Sequence, residues 1–359
     1  MSGPGPDHRA LTAQRFATQR LTCDPLSTPT DVVRHLLAVQ SQDAPLARYS
    51  IALRCADPTN AAVMAAISSG ELVRTHLLRP TWHYVAREDL RWLLELTGAK
   101  IESSMRARHR GLRIDEAVIQ RSFAILTDAL AGRCFRTRRQ LHPLLPETGF
   151  EAQGQVVGHL LTIAELRGQI CSGPLDDKGG HRYALVAEVI PVSPARDQQD
   201  AIRDLTLRFF TGHGPASVDD LNRWCTITRN QATAAIADLG DQLKAIDVQG
   251  RQLWCAPQSV VPASRPRKAF LLPTFDEAFL TYPQAHLPRV PGHPRDTNAY
   301  TFAEAGGGLA VHDLRDVGTW KRRRSSGAST VELALAESCS KRVAADFRAP
   351  IRELESFGA

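Results

Sequence analysis

The sequence has no uninterrupted apolar run near the ~18 residues that a membrane-spanning helix requires, and its start, MSGPGPDHRA, lacks the apolar core of a secretory signal. A cytoplasmic protein without a membrane partner is the expectation. No C-x-x-C pair occurs among the seven cysteines, at positions 23, 55, 134, 171, 225, 255 and 339. That excludes the common zinc, haem-attachment and redox spacings, and leaves most of them as small buried apolar residues. His142, His159 and His181 have no metal-like spacing, so no metal is expected. GGGL at 306 to 309 is followed by neither Lys-Ser nor Lys-Thr and reads as a turn, not a phosphate loop. Lysine is scarce: only 6 of the 44 basic residues are Lys, so the net charge of +6 rests almost wholly on arginine.

An arginine excess suits contact with phosphates, and the excess is uneven. Residues 101 to 145 hold nine Arg against four acids, and Lys321, Arg322, Arg323 and Arg324 form a run. A solvated surface with a codon bias towards Arg is the other reading, and composition leaves both open. At 359 residues the chain is long enough for about two to four modules.

A repeated unit appears three times: a lead helix, a short helix after a turn, a second helix with an apolar stripe, and a β-rich segment. The third copy is the most regular. Its lead helix is Asp200 to Thr211, and Gly212, Gly214 and Pro215 break it. Ser217 caps the short helix VDDLNRW, with Asp220 completing a weak capping box, and Thr228 caps RNQATAAIADL. AIDV-QG-RQLWCA then reads as a hairpin. The second copy runs through EAVIQRSFAILTDAL, TRRQLHPLL, GQVVGHLLTIAELRG and ICSGPLDDKGGHRYALV. The first is less regular: residues 11 to 20, DVVRHLLAVQ, NAAVMAAISSG and ELVRTHLLRPTWHYV. Helix, helix, helix, hairpin is the winged-helix order, which commonly serves DNA binding and also protein docking. Beyond Pro262, AFLLPTF, GLAVHDL, VGTWKRR and STVELAL read as strands of a small β-domain closed by a helix near residues 349 to 356.

VQSQDAP at 39 to 45, THLLRPTWHYV at 75 to 85, LLPTFDEAFLTY at 271 to 282 and VGTWKRR at 317 to 323 together resemble the AlkZ-like winged-helix DNA glycosylases. The resemblance implies an α+β fold of three tandem winged-helix modules followed by a C-terminal β-barrel. We place the modules at 9–100, 101–195 and 196–262, with the barrel at 263–359. It further implies a monomer that clasps double-stranded DNA and removes alkylated purines, with no cofactor and no metal. The family's Gln-x-Gln signature falls on Gln40 and Gln42, which become the expected catalytic residues. A sister group, the YcaQ-like crosslink glycosylases, has Asp in the second place. Gln42 therefore favours the AlkZ side, while Ser41 departs from an often apolar middle position.

A purine alkylated at N7 or N3 is already cationic, so its bond to deoxyribose is weakened and little acid catalysis is needed. What remains is to hold a water and to stabilise an electron-poor sugar. A glutamine carbonyl can aim a water but cannot take its proton near neutral pH. In a helix, residues two apart lie about 200° around the axis, so Gln40 and Gln42 could not converge from an intact one. Gln40 continues the stripe of Val33, Leu36 and Leu37, and Pro45 discourages α conformation at Ala44. The helix is therefore expected to unwind between Gln40 and Asp43, with Asp43 a possible acid for the water.

Arg79, Trp82 and His83 are DNA-contact candidates, with packing and ion pairing as the other reading. Asp276 and Glu277 would face opposite sides of a strand, which leaves Asp276 a structural hydrogen-bonding residue near the DNA face. Lys321, Arg322, Arg323 and Arg324 are expected on phosphates. The alternative function is a non-enzymatic winged-helix DNA-binding protein such as a transcriptional regulator.

Overall fold

A computed structural model describes residues 6–145, 153–259, 267–282, 287–293, 306–325 and 328–358. In the N-terminal part, α1 (Pro6–Thr18) precedes α2 (Pro29–Leu36), whose Thr28 cap accepts from the Asp31 N–H and whose Val32, Val33 and Leu36 are buried. Leu37 stops α2 with a φ of 65°. Then follow β1 (Ala38–Gln40), α3 (Ala44–Ala52), α4 (Asn60–Ser68), β2 (Leu72–His76) and β3 (Trp82–Ala86). The three strands form an antiparallel sheet in the order β1-β3-β2, with Gln40 opposite His83 and His76 opposite Trp82.

Three of these elements and their successor differ from the sequence expectation. The helix expected through Gln40 ends at Leu36, and its last residues form β1. Pro45 breaks nothing: it sits in the first turn of α3, where a missing N–H costs no hydrogen bond, and Asp43 caps that helix. The 22-residue α5 (Leu90–Gly111) links the first unit to the second and was not anticipated.

The second unit contains α6 (Glu116–Leu130), α7 (Arg138–Leu141), α8 (Gln153–Leu166), β4 (Ile170–Ser172), β5 (Tyr183–Leu185) and the short α9 (Val186–Val189). The third contains α10 (Gln198–His213), α11 (Val218–Trp224), α12 (Arg229–Leu239), β6 (Lys244–Val248) and β7 (Arg251–Cys255). Capping boxes at Ser217/Asp220 and Thr228/Gln231 fix the starts of α11 and α12. Gln249 and Gly250, at φ 56° and 76°, turn β6 into β7.

At the C-terminal end β8 (Ala269–Pro273), β9 (Gly307–His312), β10 (Arg315–Ser325) and β11 (Ala328–Leu335) form an antiparallel sheet in the order β11-β10-β9-β8. Among the described residues this sheet is open, which corrects the expected barrel. Helix α14 (Lys341–Asp346) leads into α15 (Arg348–Ser356), which packs on both edge strands, β8 and β11, and occupies the side on which they would meet. The GGGL turn is also corrected: Gly307 and Gly308 lie in β9. A Cβ on Gly308 would come 1.9 Å from the Leu272 carbonyl, to which the buried Trp320 side chain donates its Nε1–H at 3.1 Å.

Two apolar cores meet at β1. One joins Phe16, Val39 and Tyr84 to Phe270, Trp320 and Phe347 of the C-terminal part. The other joins Leu37, Ala38 and Val85 to Phe209, Trp224 and Tyr282. Smaller clusters fill the second unit around Leu161 and Leu160. No described helix is long and apolar enough to cross a membrane.

Candidate active site

Because β1 is extended, residues two apart point to the same side. Gln40 is its last residue and is 6% exposed, whereas Gln42, just beyond it, is exposed. Ser41 prolongs the pairing by donating its N–H to the Trp82 carbonyl at 2.7 Å. The Trp82 N–H in turn donates to Gln42 Oε1 at 3.4 Å. The two amides thus step from interior to surface along one edge of the sheet.

Gln40 is held from two directions. Arg79 Nη2 donates to its Oε1 at 2.6 Å, and its backbone N–H donates to Glu277 Oε1 at 2.8 Å. A guanidinium only donates, so the Gln40 carbonyl must face Arg79 and its NH2 edge faces away. Burial pulls the Arg79 guanidinium below the usual arginine range, with the Glu277 charge opposing. Burial raises the Glu277 carboxyl, the Arg79 charge opposing in turn. Glu277 Oε2 also accepts from Trp224 Nε1 at 2.9 Å and Thr281 Oγ1 at 3.2 Å, so one carboxylate ties β1, α11 and α13 (Glu277–Leu280) together. Sequence reasoning missed this role. Its only signal is the position of Glu277 within LLPTFDEAFLTY.

His83 is fully buried, which corrects its expected place on DNA. Its Nδ1 lies 3.0 Å from the Thr81 carbonyl, which requires a proton there, and leaves Nε2 as an acceptor 3.5 Å from Arg79 Nη2. Burial pushes the ring well below the usual histidine range, so it is neutral. Arg79 is likewise turned inward to Gln40, not out to phosphates. Asp276 has the structural hydrogen-bonding role expected of it, but at a different place in the fold. It is no strand residue but the cap of α13, fully buried, accepting from Arg54 at 2.8 and 2.9 Å, Ser50 Oγ at 2.6 Å and the Ala278 N–H at 2.9 Å. Burial alone would raise its carboxyl, but Arg54 and these hydrogen bonds hold it below the usual carboxylate range. Asp43 accepts from the Leu46 N–H at 3.0 Å as the cap of α3.

Trp82 is half-buried, with the Arg74 guanidinium over its ring at 4.1 Å and His76 beside it at 4.2 Å between centroids. Arg74 also donates to the Ser41 carbonyl at 2.8 Å. Lys321 and Arg323 are exposed on β10, and Arg323 pairs with Glu332 across the hairpin. Arg322 is half-buried, and the Arg324 side chain lies outside the described residues. No described group of three or more His, Cys, Asp and Glu residues could hold a metal. A cavity of about 890 Å³ is lined by Tyr49, Cys55 and Phe357, among others, and includes neither glutamine.

Residues 33–357 match the family model described as DNA glycosylase AlkZ-like. The chain is a DNA glycosylase, a hydrolase acting on N-glycosyl bonds. Within that class it belongs to the AlkZ-like family. A protein of Streptomyces sahachiroi named interstrand DNA cross-link repair glycosylase is 26% identical over 271 residues, covering 68% of this chain and 70% of that one. The structure of Streptomyces sahachiroi DNA glycosylase AlkZ superposes with a TM-score of 0.72 at 19% identity, over 97% of this chain and 96% of that one.

Proposed function

We propose that the protein is a monofunctional glycosylase that hydrolyses the N-glycosidic bond of N7- or N3-alkylated purines in duplex DNA, bulky or crosslinked adducts included, and leaves an abasic site. The observation that carries this reading is the pinned Gln40 amide beside an exposed Gln42. The leaving base brings its own positive charge, so oriented dipoles suffice. Gln40, with its carbonyl fixed by Arg79, presents N–H donors to a water or to the sugar. Gln42, tethered only by a long hydrogen bond, is free to aim the water with its carbonyl. Arg79 and Glu277 position Gln40, and Asp43 serves as a helix cap with one carboxylate oxygen left for the water. The cross-link named in the Streptomyces relative supports large adducts as substrates.

The duplex would lie over Trp82 and the basic face of β10, with Lys321, Arg322, Arg323 and Arg324 on phosphates. The helix–helix–helix–hairpin units are winged helices in this reading, bounded at 9–100, 101–195 and 196–262, with the C-terminal part at 263–359. The protein acts as a monomer without cofactor. Purified protein incubated with duplex DNA containing N7-methylguanine, then treated with alkali, tests the reading. Strand breaks lost in Gln40→Ala and Gln42→Ala, with DNA affinity retained, support it; absence of breaks with every alkylated duplex, together with tight binding to one sequence, would mean a regulator.

A further inference from the structure

A cavity of about 480 Å³ opens between the β2–β3 sheet of the first unit and α8 and β5 of the second. Its walls include Trp82, Tyr183, Met105 and His159, with Glu165 deep within it. Glu165 is fully buried. Its Oε2 is hydrogen-bonded to His76 Nδ1, while Oε1 has no partner among the described residues. A buried oxygen without a partner costs free energy unless something fills the role. Whether the shared proton sits on His76 or on Oε2, Oε1 remains an acceptor. His159 Nδ1 is also unpartnered among the described residues.

Two arguments identify what fits. The volume lies in the range used for drug-sized ligands and exceeds what a lone purine needs. Arg108 and Arg138 line the cavity from exposed positions, and Arg74 covers the Trp82 ring. The Arg108 and Arg138 guanidiniums disfavour a purine cation there, but not a neutral aromatic group. Trp82 joins the cavity to the reaction site: its ring lines the wall and its N–H binds Gln42. Resting on the glycosylase reading above, we infer that this cavity is a specificity pocket for the adduct, taking a neutral planar aromatic substituent with a hydroxyl or amino donor for Glu165, while the purine bearing it stays at Gln40 and Gln42.

The test compares two duplexes, one with N7-methylguanine and one with an N7-guanine adduct whose substituent is a hydroxybenzyl ring. Glu165→Met removes the acceptor at similar size, and Thr162→Phe fills the pocket from α8, one turn before Glu165. Both variants should lower kcat/KM on the hydroxybenzyl adduct by about tenfold or more, through the lost acceptor at Glu165 and through lost space at Thr162, and leave N7-methylguanine excision within about twofold. Gln40→Ala should lose both activities. Equal losses on both duplexes, or no loss on the aromatic one, overturn the pocket, as does a wild-type enzyme that excises only the methylated base. A wild-type enzyme that cuts neither duplex overturns the alkylpurine reading first, and the pocket with it.

Discussion

Gln40 owes its orientation to a neighbour that can only donate. Replacing Arg79 with Ala leaves the amide free to rotate and strands Glu277 as a buried charge with less compensation. We expect Arg79→Ala to lower single-turnover excision of N7-methylguanine by about 10²-fold, with DNA affinity in a filter or polarisation assay nearly unchanged. A larger loss of affinity than of rate would place Arg79 on the duplex instead. Glu277→Gln keeps the size but not the charge, and should cost less, about tenfold, because its oxygen can still accept from the Gln40 N–H.

Helix ends and strand contacts carry the same logic at the next scale. His213 ends α10 and faces the Leu36 carbonyl at 3.0 Å through Nε2, while Nδ1 lies 3.3 Å from Gln19 Nε2 and 3.2 Å from Thr281 Oγ1. With the Thr281 hydroxyl donating to Glu277, the neutral ring with its proton on Nε2 donates to Leu36 and accepts from Gln19, and burial pushes its pKa down to about 4. The unfolded state therefore binds this proton first as pH falls below about 6.5, so stability is full above that and is lost towards pH 4. The contribution is about 3 kcal/mol at most. Urea midpoints should fall over this window in the wild type and fall less in His213→Gln; parallel profiles would remove the histidine from the account. In the C-terminal sheet Gly308→Ala forces β8 and β9 apart, and should cost roughly 1–3 kcal/mol or more in the same assay.

For the whole molecule the decisive quantity is how many phosphates the basic surface meets. A contact with about six gives a slope near -5 when log affinity is plotted against log salt. Lys321→Ala should make that slope shallower by about 0.9 and weaken binding alike on damaged and undamaged DNA. An unchanged slope would take β10 off the duplex.

The amphipathic helices, their caps and the hairpin of the third unit were legible in the chain itself, because each depends on neighbours within a few residues. Val218–Trp224 and Arg229–Leu239 fall where Ser217 and Thr228 place them, and Glu116–Leu130 where its periodicity does. The Gln-x-Gln positions were legible as a motif. Tertiary structure alone decided that Gln40 stands on a strand paired to His83, that Arg79, His83 and Asp276 turn inward, and that α15 lies where the C-terminal sheet would close. Those outcomes rest on contacts between residues up to 237 positions apart, such as Glu277 with Gln40. Local pattern cannot carry them, since burial and ion pairing are settled only when distant segments pack together.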